Sequence, residues 1–383
     1  MKKKYILIIS TLLITFVFNS CNNKFNIPVE NCTEVTNDNA TNPKTSEYQA
    51  ILDKYTNLGL PGLSLAVHTN TNGIWIGSSG YSCLEDKIKM KSCNVHHSAS
   101  IAKTYIATAV LILVDQNKLD LKDLAKKYLP ETVYSNVSNA ELATIEQLLN
   151  HRSGIYNFDD NLKVYVNSFN SLYGVSSTLE LIEKYVYGID AYFEVGQDYH
   201  YSNTNYTLLG MIIEDVSGMS LGKFIEDNII TPLNLKETYY KNSLDYPEIP
   251  NLVNSYYELY ENNLSNCSDI QRHFADLAKG HEGMIASPND FAIFIKNLVT
   301  GNILSPEMTE IMINSTNVDD YGLGIYTFET DYGNGVGHSG GAIGTMTYAI
   351  YFPDSDISFA LACNFGPVFG GELVTLFYDD LYE

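Results

Sequence analysis

The stretch Ser100-Ile-Ala-Lys-Thr-Tyr-Ile-Ala-Thr-Ala-Val-Leu-Ile-Leu-Val114 decides how the rest of this chain is read. From Ile101 onward it is rich in Ala and Leu at helical spacing, so it predicts a helix that starts at a serine. Serine and lysine three apart at a helix start lie on one face, which brings Lys103 within reach of Ser100. A serine hydroxyl is a poor nucleophile until a neighbour removes its proton. A lysine among apolar residues is partly desolvated, and its pKa falls toward that of a usable base. Alone, Ser-x-x-Lys recurs by chance in many proteins, so its weight depends on what accompanies it.

Two further polar clusters follow in order, Tyr201-Ser-Asn203 and Gly337-His-Ser-Gly-Gly341. The first precedes an apolar run from Tyr206 to Ile213 and occupies the loop entering a helix. A tyrosinate at 201 could share a proton with Lys103 or protonate a leaving group, and Asn203 could hold the lysine or a substrate amide. The bland alternative is a packed tyrosine beside an Asx-type cap, easily met by chance among 29 tyrosines. The second cluster is expected just before a strand. There Gly340 and Gly341 would allow close backbone approach, and an N–H could form half of an oxyanion hole. Its bland alternative is a Gly-rich turn carrying a surface histidine. In combination the clusters supply a nucleophile, candidate bases and a Gly-rich strand, which points to a serine acyl-transfer enzyme.

Outward from these clusters, Glu47 to Leu58 has helical spacing and stops at Gly59 and Pro61. Leu63–Val67 and Ile74–Ile76 predict two strands joined at Asn72-Gly73, a strong hairpin signal. Helical stretches are expected at 121–128, 144–149, 179–187 and 205–216. Ser287 as cap with Pro288 at the first helical position marks another helix start. Strand-like runs follow at 322–328, 346–352 and 357–362, then a closing helix at 372–381. Strands at both ends with helices between imply an antiparallel sheet built from both termini and an inserted helical region, an α/β class with an all-α subdomain. The expected division is 45–98 with 305–383 as the α/β subdomain and 99–304 as the mostly helical one.

At 383 residues and 45% hydrophobic, the chain is long enough to bury a large core. Lys2, Lys3 and Lys4 followed by an apolar run from Tyr5 to Phe18 predict an export signal over 1–20. Ser20 directly before Cys21 gives the segment a lipoprotein-like end with Cys21 as the lipidated residue, although Phe18 is unusual there. Residues 21–44, rich in Asn and Thr, read as a flexible tether, so membrane association would come through a lipid anchor rather than a transmembrane helix. Losing 1–20 removes three lysines and no acids, taking the formal charge from −22 to −25. Such a surface repels nucleic acid and anionic headgroups. Export permits disulfides, and Cys83 with Cys93 could staple a hairpin, whereas Cys363 reads as a buried thiol. No His or Cys spacing suggests a metal site.

The order Ser-x-x-Lys, Tyr-x-Asn, His-x-Gly resembles the motif set of the serine beta-lactamase and penicillin-recognising enzyme superfamily. Segments between the motifs share the resemblance: Leu148-Leu-Asn-His-Arg-Ser-Gly-Ile155, Glu214-Asp-Val-Ser-Gly218, Gly283-Met-Ile-Ala-Ser-Pro-Asn-Asp290 and Tyr321-Gly-Leu-Gly324. The resemblance spans about 45–383 and implies a beta-lactamase/DD-peptidase-like fold. It also implies Ser100 as acylated nucleophile, Lys103 beside it, and Tyr201 as general acid/base. Asn203, His338, Ser339 and Gly340 would support substrate, with the N–H groups of Ser100 and Gly341 as oxyanion hole. No cofactor or metal is implied, and the partner is a small peptide, amide or ester. The histidine variant of the third motif is similar to D-alanyl-D-alanine carboxypeptidases of the DD-peptidase type, which makes that activity the leading expectation. A D-aminopeptidase or esterase/amidase is the alternative, ahead of a classical beta-lactamase or a non-catalytic sensor. One departure weighs against a carboxylate-bearing substrate: the 87 residues after Lys296 contain no lysine or arginine. The chain has only Arg152 and Arg272 as arginines, and His97 is a further candidate for the missing positive charge.

Overall fold

The computed structural model describes residues 37–169, 177–240, 249–260, 263–277, 279–314, 320–330 and 333–366. The expected signal, Cys21, most of the tether and the closing helix lie outside them. Among the described residues no helix is long and apolar enough to cross a membrane.

The Asn72-Gly73 turn joins β1 (Gly62–Thr69) to β2 (Gly73–Cys83), which pair antiparallel with Thr69 opposite Gly73. Gly73 has φ +72°, the left-handed conformation that glycine tolerates best. Short strands follow: β3 (Ile88–Lys89), β4 (His96–His97), β5 (Thr238–Tyr240), β6 (Tyr256–Tyr260), β7 (Asn263–Asn266) and β8 (Met284–Ala286). The C-terminal part adds β9 (Tyr326–Thr330), β10 (Gly333–Ala342), β11 (Thr345–Phe352) and β12 (Ile357–Cys363). The main sheet has seven strands in the order β3-β2-β1-β12-β11-β10-β9. Its halves meet where β1 pairs antiparallel with β12, Leu65 opposite Leu361. The sheet is thus assembled from both ends of the chain, as the sequence implies. A three-stranded sheet, β4-β8-β5, lies apart from it.

Successive residues of a strand face opposite sides, and both faces of the central strands are covered. Leu63, Leu65, Val67 and Trp75 pack with Tyr48, Ile51, Leu52 and Tyr55 of helix α1 (Thr45–Asn57). Ala66, Ile76, Ala349 and Ala360 join the larger core with Phe291, Phe294 and Ile295 of the helix Pro288–Val299. That helix begins as its sequence predicts, with the Ser287 hydroxyl accepting from the Asp290 N–H. Helix α2 (Ile101–Asp115) is buried from Ile101 through Leu113, so it runs through the core rather than along its surface. The helix Asn203–Ser217 packs beside it and ends at Gly218, φ +69°.

Four expectations change. The 121–128 helix is a single 3-10 turn, Ala125–Lys127, because the Asp120 carboxylate accepts from the Lys122 N–H and offers the backbone a competing turn. The 322–328 strand starts only at Tyr326, after a turn in which Gly324 has φ +77°. The His338 cluster lies inside β10, not ahead of a strand. Cys83 is a free thiol beside Glu85 and Asp86, while Cys93 is disulfide-bonded, so the Cys83–Cys93 staple is not formed. The β2–β3 hairpin has its irregularity at Cys83, opposite Ile88, which leaves that thiol on the acidic turn. Cys363 is a buried free thiol, as expected.

Candidate active site

Ser100 stands at the N-terminal end of α2, with no capping bond from its side chain. Its hydroxyl is therefore not used by the helix. The segment leading to it is strapped to the two sheets. The Ser98 N–H donates to the Met284 carbonyl at 2.9 Å, and His97 lies opposite Ile285 on β8. From β11, Thr345 Oγ1 donates to the His97 carbonyl at 2.9 Å and Thr347 Oγ1 to the Ser98 carbonyl at 2.7 Å. Ala99 has φ +45°, a left-handed conformation costing an ordinary residue roughly 1–3 kcal/mol, which the strap sustains. Gly340 explains itself here: a Cβ on it would lie 2.2 Å from the Ser98 carbonyl oxygen and 3.0 Å from the Ala99 Cβ. Its role is close approach of β10 to the segment before Ser100. Among the described residues, the Ser100 N–H has no backbone acceptor. Ser339 and Gly341 are exposed on β10.

Lys103 is completely buried, one helical turn on from Ser100. Its Nζ donates to Ser100 Oγ at 2.9 Å and to the His281 carbonyl at 3.2 Å, and lies 4.9 Å from the centre of the Tyr201 ring. Burial drives its pKa down to about 7, against the opposing pull of Glu282 and Asp159. The Tyr201 hydroxyl is hydrogen-bonded to Ser100, but burial and neighbouring tyrosines hold its pKa well above the ordinary value. Tyr201 is thus a neutral phenol able to donate a proton, and Lys103 is the group able to accept one. The tyrosinate expectation gives way to this division for a physical reason: a buried phenolate has too little compensating charge.

Asn203 comes next to them, but its side chain is committed differently from the expectation. Its Nδ2 donates to Asp159 Oδ2, its backbone N–H donates to Asn157 Oδ1 at 3.0 Å, and its Oδ1 has no partner among the described residues. Burial pushes Asp159 up to about 6 and Glu282 up to about 7. Neither carboxylate stands out in the sequence. Glu282 immediately precedes the family-like Gly283-Met-Ile-Ala286 segment, and a charge at the end of a Gly-flanked turn is the signal that could have found it. Asp159 follows the family-like segment ending at Ile155, and only its pairing with Asn203 gives it meaning.

His338 is buried on β10. Its Nδ1 meets the Ser339 carbonyl at 2.5 Å, so Nδ1 carries the hydrogen and Nε2 is left to accept. The Tyr321 hydroxyl lies 3.3 Å from Nε2 and 3.4 Å from the Tyr206 hydroxyl, which donates to the Leu149 carbonyl at 2.7 Å. Burial, reinforced by Lys103, holds His338 down at about 3. It is therefore an uncharged residue at neutral pH. His97, the other candidate cation, is likewise buried and held at about 3 by burial, with Arg272 adding to the effect. Arg152 is tied to the Gly196 carbonyl by its Nη2. Among the described residues, no group of His, Cys, Asp and Glu could hold a metal ion.

The Beta-lactamase family profile matches residues 48–374. The chain belongs to the Beta-lactamase family. Membership in this superfamily supports catalytic, serine-hydrolase activity. A penicillin-binding protein of Bacillus subtilis (strain 168) is 27% identical over 290 residues, 72% of this chain and 62% of that relative, so the chain spans less than two thirds of its length. Among solved structures, a D-stereospecific amidohydrolase from Streptomyces sp. superposes with a TM-score of 0.73 at 25% identity, covering 86% of this chain and 97% of that one. A D-amino acid amidase from Ochrobactrum anthropi SV3 gives 0.74 at 21% identity, covering 88% and 95%. The last likeness concerns the fold.

Proposed function

We propose that the chain is a serine hydrolase that cleaves amides of D-amino acids through a Ser100 acyl-enzyme. Ser100 Oγ attacks the carbonyl carbon while its proton passes to Lys103 Nζ. The N–H groups of Ser100 and Gly341 receive the developing oxyanion, and Tyr201 relays a proton to the departing amine as the C–N bond breaks. Water then attacks the ester, and Ser100 recovers its proton. Asn203, with a free Oδ1, offers an acceptor for the substrate amide N–H. Ser339, exposed on β10, borders the same site.

The observation that carries this reading is the sign of the charge at the site. The groups whose charges act on Lys103 are the carboxylates of Glu282 and Asp159, and the third-motif His338 is neutral. A peptide ending in a carboxylate would enter a site with two acids near its lysine and a neutral third-motif histidine, whereas an amide, or an ammonium beside one, meets no such cost. The amidohydrolase and amidase likenesses support the same side. The D-alanyl-D-alanine carboxypeptidase reading is favoured instead by the penicillin-binding relative. The pattern of Lys2–Lys4, the apolar run to Phe18 and Cys21 supports an exported, lipid-anchored protein.

The test is turnover of D-phenylalanine amide against an N-acylated D-alanyl-D-alanine peptide, in wild type and Ser100→Ala. The expected result is release of ammonia from the D-amide, little from its L-enantiomer, and loss of at least roughly a thousandfold in the variant. Cleavage of the peptide with the amide untouched would overturn the amidase reading and restore the carboxypeptidase one.

A further inference from the structure

Lys103 receives more from the 280–283 turn than the His281 carbonyl. Gly280 and Gly283 have φ +93° and +98°, and the turn is pressed against the helix Asn203–Ser217. A Cβ at Gly280 would lie 2.1 Å from the Tyr206 carbonyl oxygen, so the turn cannot move away from that helix without losing this packing. The His281 ring is fixed as well. Thr207 Oγ1 donates to the Asn203 carbonyl at 3.1 Å, which leaves it to accept from His281 Nδ1 at 3.0 Å. The ring also packs edge-on against Phe158 at 4.9 Å.

Glu282 follows directly on this anchored residue. Its Oε2 is shut off from solvent and has no hydrogen-bond partner among the described residues. The nearest lysine in sequence is engaged elsewhere, since Lys279 Nζ bonds Glu214 Oε2 at 2.6 Å. The cation that Glu282 senses is Lys103, with Asp159 as a second carboxylate and Gln271 beside it. We propose that Glu282 is a positioning residue for Lys103: the turn delivers its carboxylate as the counter-charge that holds the amine toward Ser100 and steadies it once it carries the serine proton. This rests on the Ser100 acyl-enzyme reading above. In that step the Ser100 O–H bond breaks, an Nζ–H bond forms, and the Oγ electron pair makes the new bond to the substrate carbon. Glu282 changes no bond.

The other titratable groups around Lys103 set the background. Asp159 pulls its basicity up as Glu282 does. His151, His281 and His338 are buried and neutral, held down by burial first and by Lys103 second. Tyr201 and Tyr206 present their rings to the amine at 4.9 and 5.8 Å. Removing the Glu282 charge therefore lowers the pKa of Lys103, which frees the amine at more acidic pH but leaves its protonated form less stabilised.

Two measurements on the whole chain test this. In Glu282→Gln, the acid limb of kcat/KM for D-phenylalanine amide should move down by about one pH unit while the plateau falls about 10–100-fold. Glu282→Asp should recover much of the plateau. A lost plateau with an unmoved limb would mean a merely structural glutamate and overturn the proposal. A limb moved to higher pH would do the same. Independently of any substrate, NMR of protein labelled with ¹³Cε-lysine should show Lys103 titrating in two steps in wild type and in one step at lower pH in Glu282→Gln, and an unchanged titration in that variant would overturn the proposal. The resonance is assigned by its absence in Lys103→Ala, and a single step at the ordinary lysine value would overturn the proposal in the wild-type protein itself. If wild type leaves the amide intact, the function reading fails while the NMR result still decides the role of Glu282.

Discussion

The two sides of the Ser100 hydroxyl are held by different physics. On the side of β10 and β11, shape holds it: a left-handed Ala99, two threonine hydroxyls on the His97 and Ser98 carbonyls, and a glycine where any side chain would collide. On the Lys103 side charge holds it, with a buried amine that feels the carboxylates of Glu282 and Asp159 and has uncharged histidines around it. A site held by shape should fail uniformly with pH when it is disturbed. One held by charge should fail in a way that depends on pH. That contrast can be broken experimentally, because each side offers a substitution that leaves the other untouched.

The largest effect belongs to Gly340→Ala. The added methyl would sit 2.2 Å from the Ser98 carbonyl oxygen, a backbone atom that cannot swing aside. Overpacking of this kind costs roughly 1–3 kcal/mol, and a displacement of Ser100 near 1 Å would lower kcat on the order of a hundredfold. The comparison requires the loss to be the same from pH 6 to pH 9. A steady-state pH profile of the variant checks it, and a loss confined to one limb would show that β10 acts through the proton side.

A smaller effect is expected from Asp159→Asn. Its charge raises the basicity of Lys103, but less than that of Glu282 does, and its other oxygen partner is the Asn203 amide. Neutralising it should move the acid limb of kcat/KM to lower pH by less than the Glu282 change does, with a plateau about tenfold down. The same pH profile reads both. An alkaline shift, or a shift exceeding that of Glu282→Gln, would reverse the order of the two carboxylates.

The two sides also differed in how far the sequence exposed them. Ser100, Lys103 and Tyr201 come together as their spacing and order imply, because a helix start and a loop entering a helix are local features. The hairpin at Asn72-Gly73 and the helix at Ser287-Pro288 were legible for the same reason. What the sequence hid is whatever depends on distant backbone. The extent of β10 is one such feature, since its run Gly333-Asn-Gly-Val-Gly-His-Ser-Gly-Gly-Ala342 has few side chains to form a strand pattern, and its pairing with β9 and β11 defines it. Asp159 and Glu282 are ordinary acids in a chain with 45 of them until folding buries their carboxyls beside Lys103. His338 is neutral because folding buries it near Lys103, against the opposing effect of its bond to the Ser339 carbonyl, and the sequence displays none of this.

The smallest effect on turnover is expected at His96, where the comparison can be sharpened by separating folding from proton chemistry. His96 lies on β4, fully buried, with neither ring nitrogen partnered among the described residues, and burial holds its pKa at about 3. A folded-state pKa below the unfolded value means that the stability is present above about 6.5 and is lost as pH falls, since only the unfolded chain takes up the proton readily. At pH 5 that amounts to about 2 kcal/mol for one such histidine. His97 and His338 at about 3 and His68 at about 4 add to it. Asp159, Glu282 and Asp290 act in the opposite sense, because burial raises their pKa values and favours protonation of the folded state as pH falls. Three acids against at least four histidines leave the histidines ahead, so the protein should lose stability between pH 6.5 and 4. His96→Leu should cut the loss between pH 7 and pH 5 by about 2 kcal/mol, read from urea unfolding at the two values, with kcat/KM at pH 7 within about twofold of wild type. If the variant instead shifts the acid limb of turnover, His96 communicates with Lys103 and the strap is not held by shape alone.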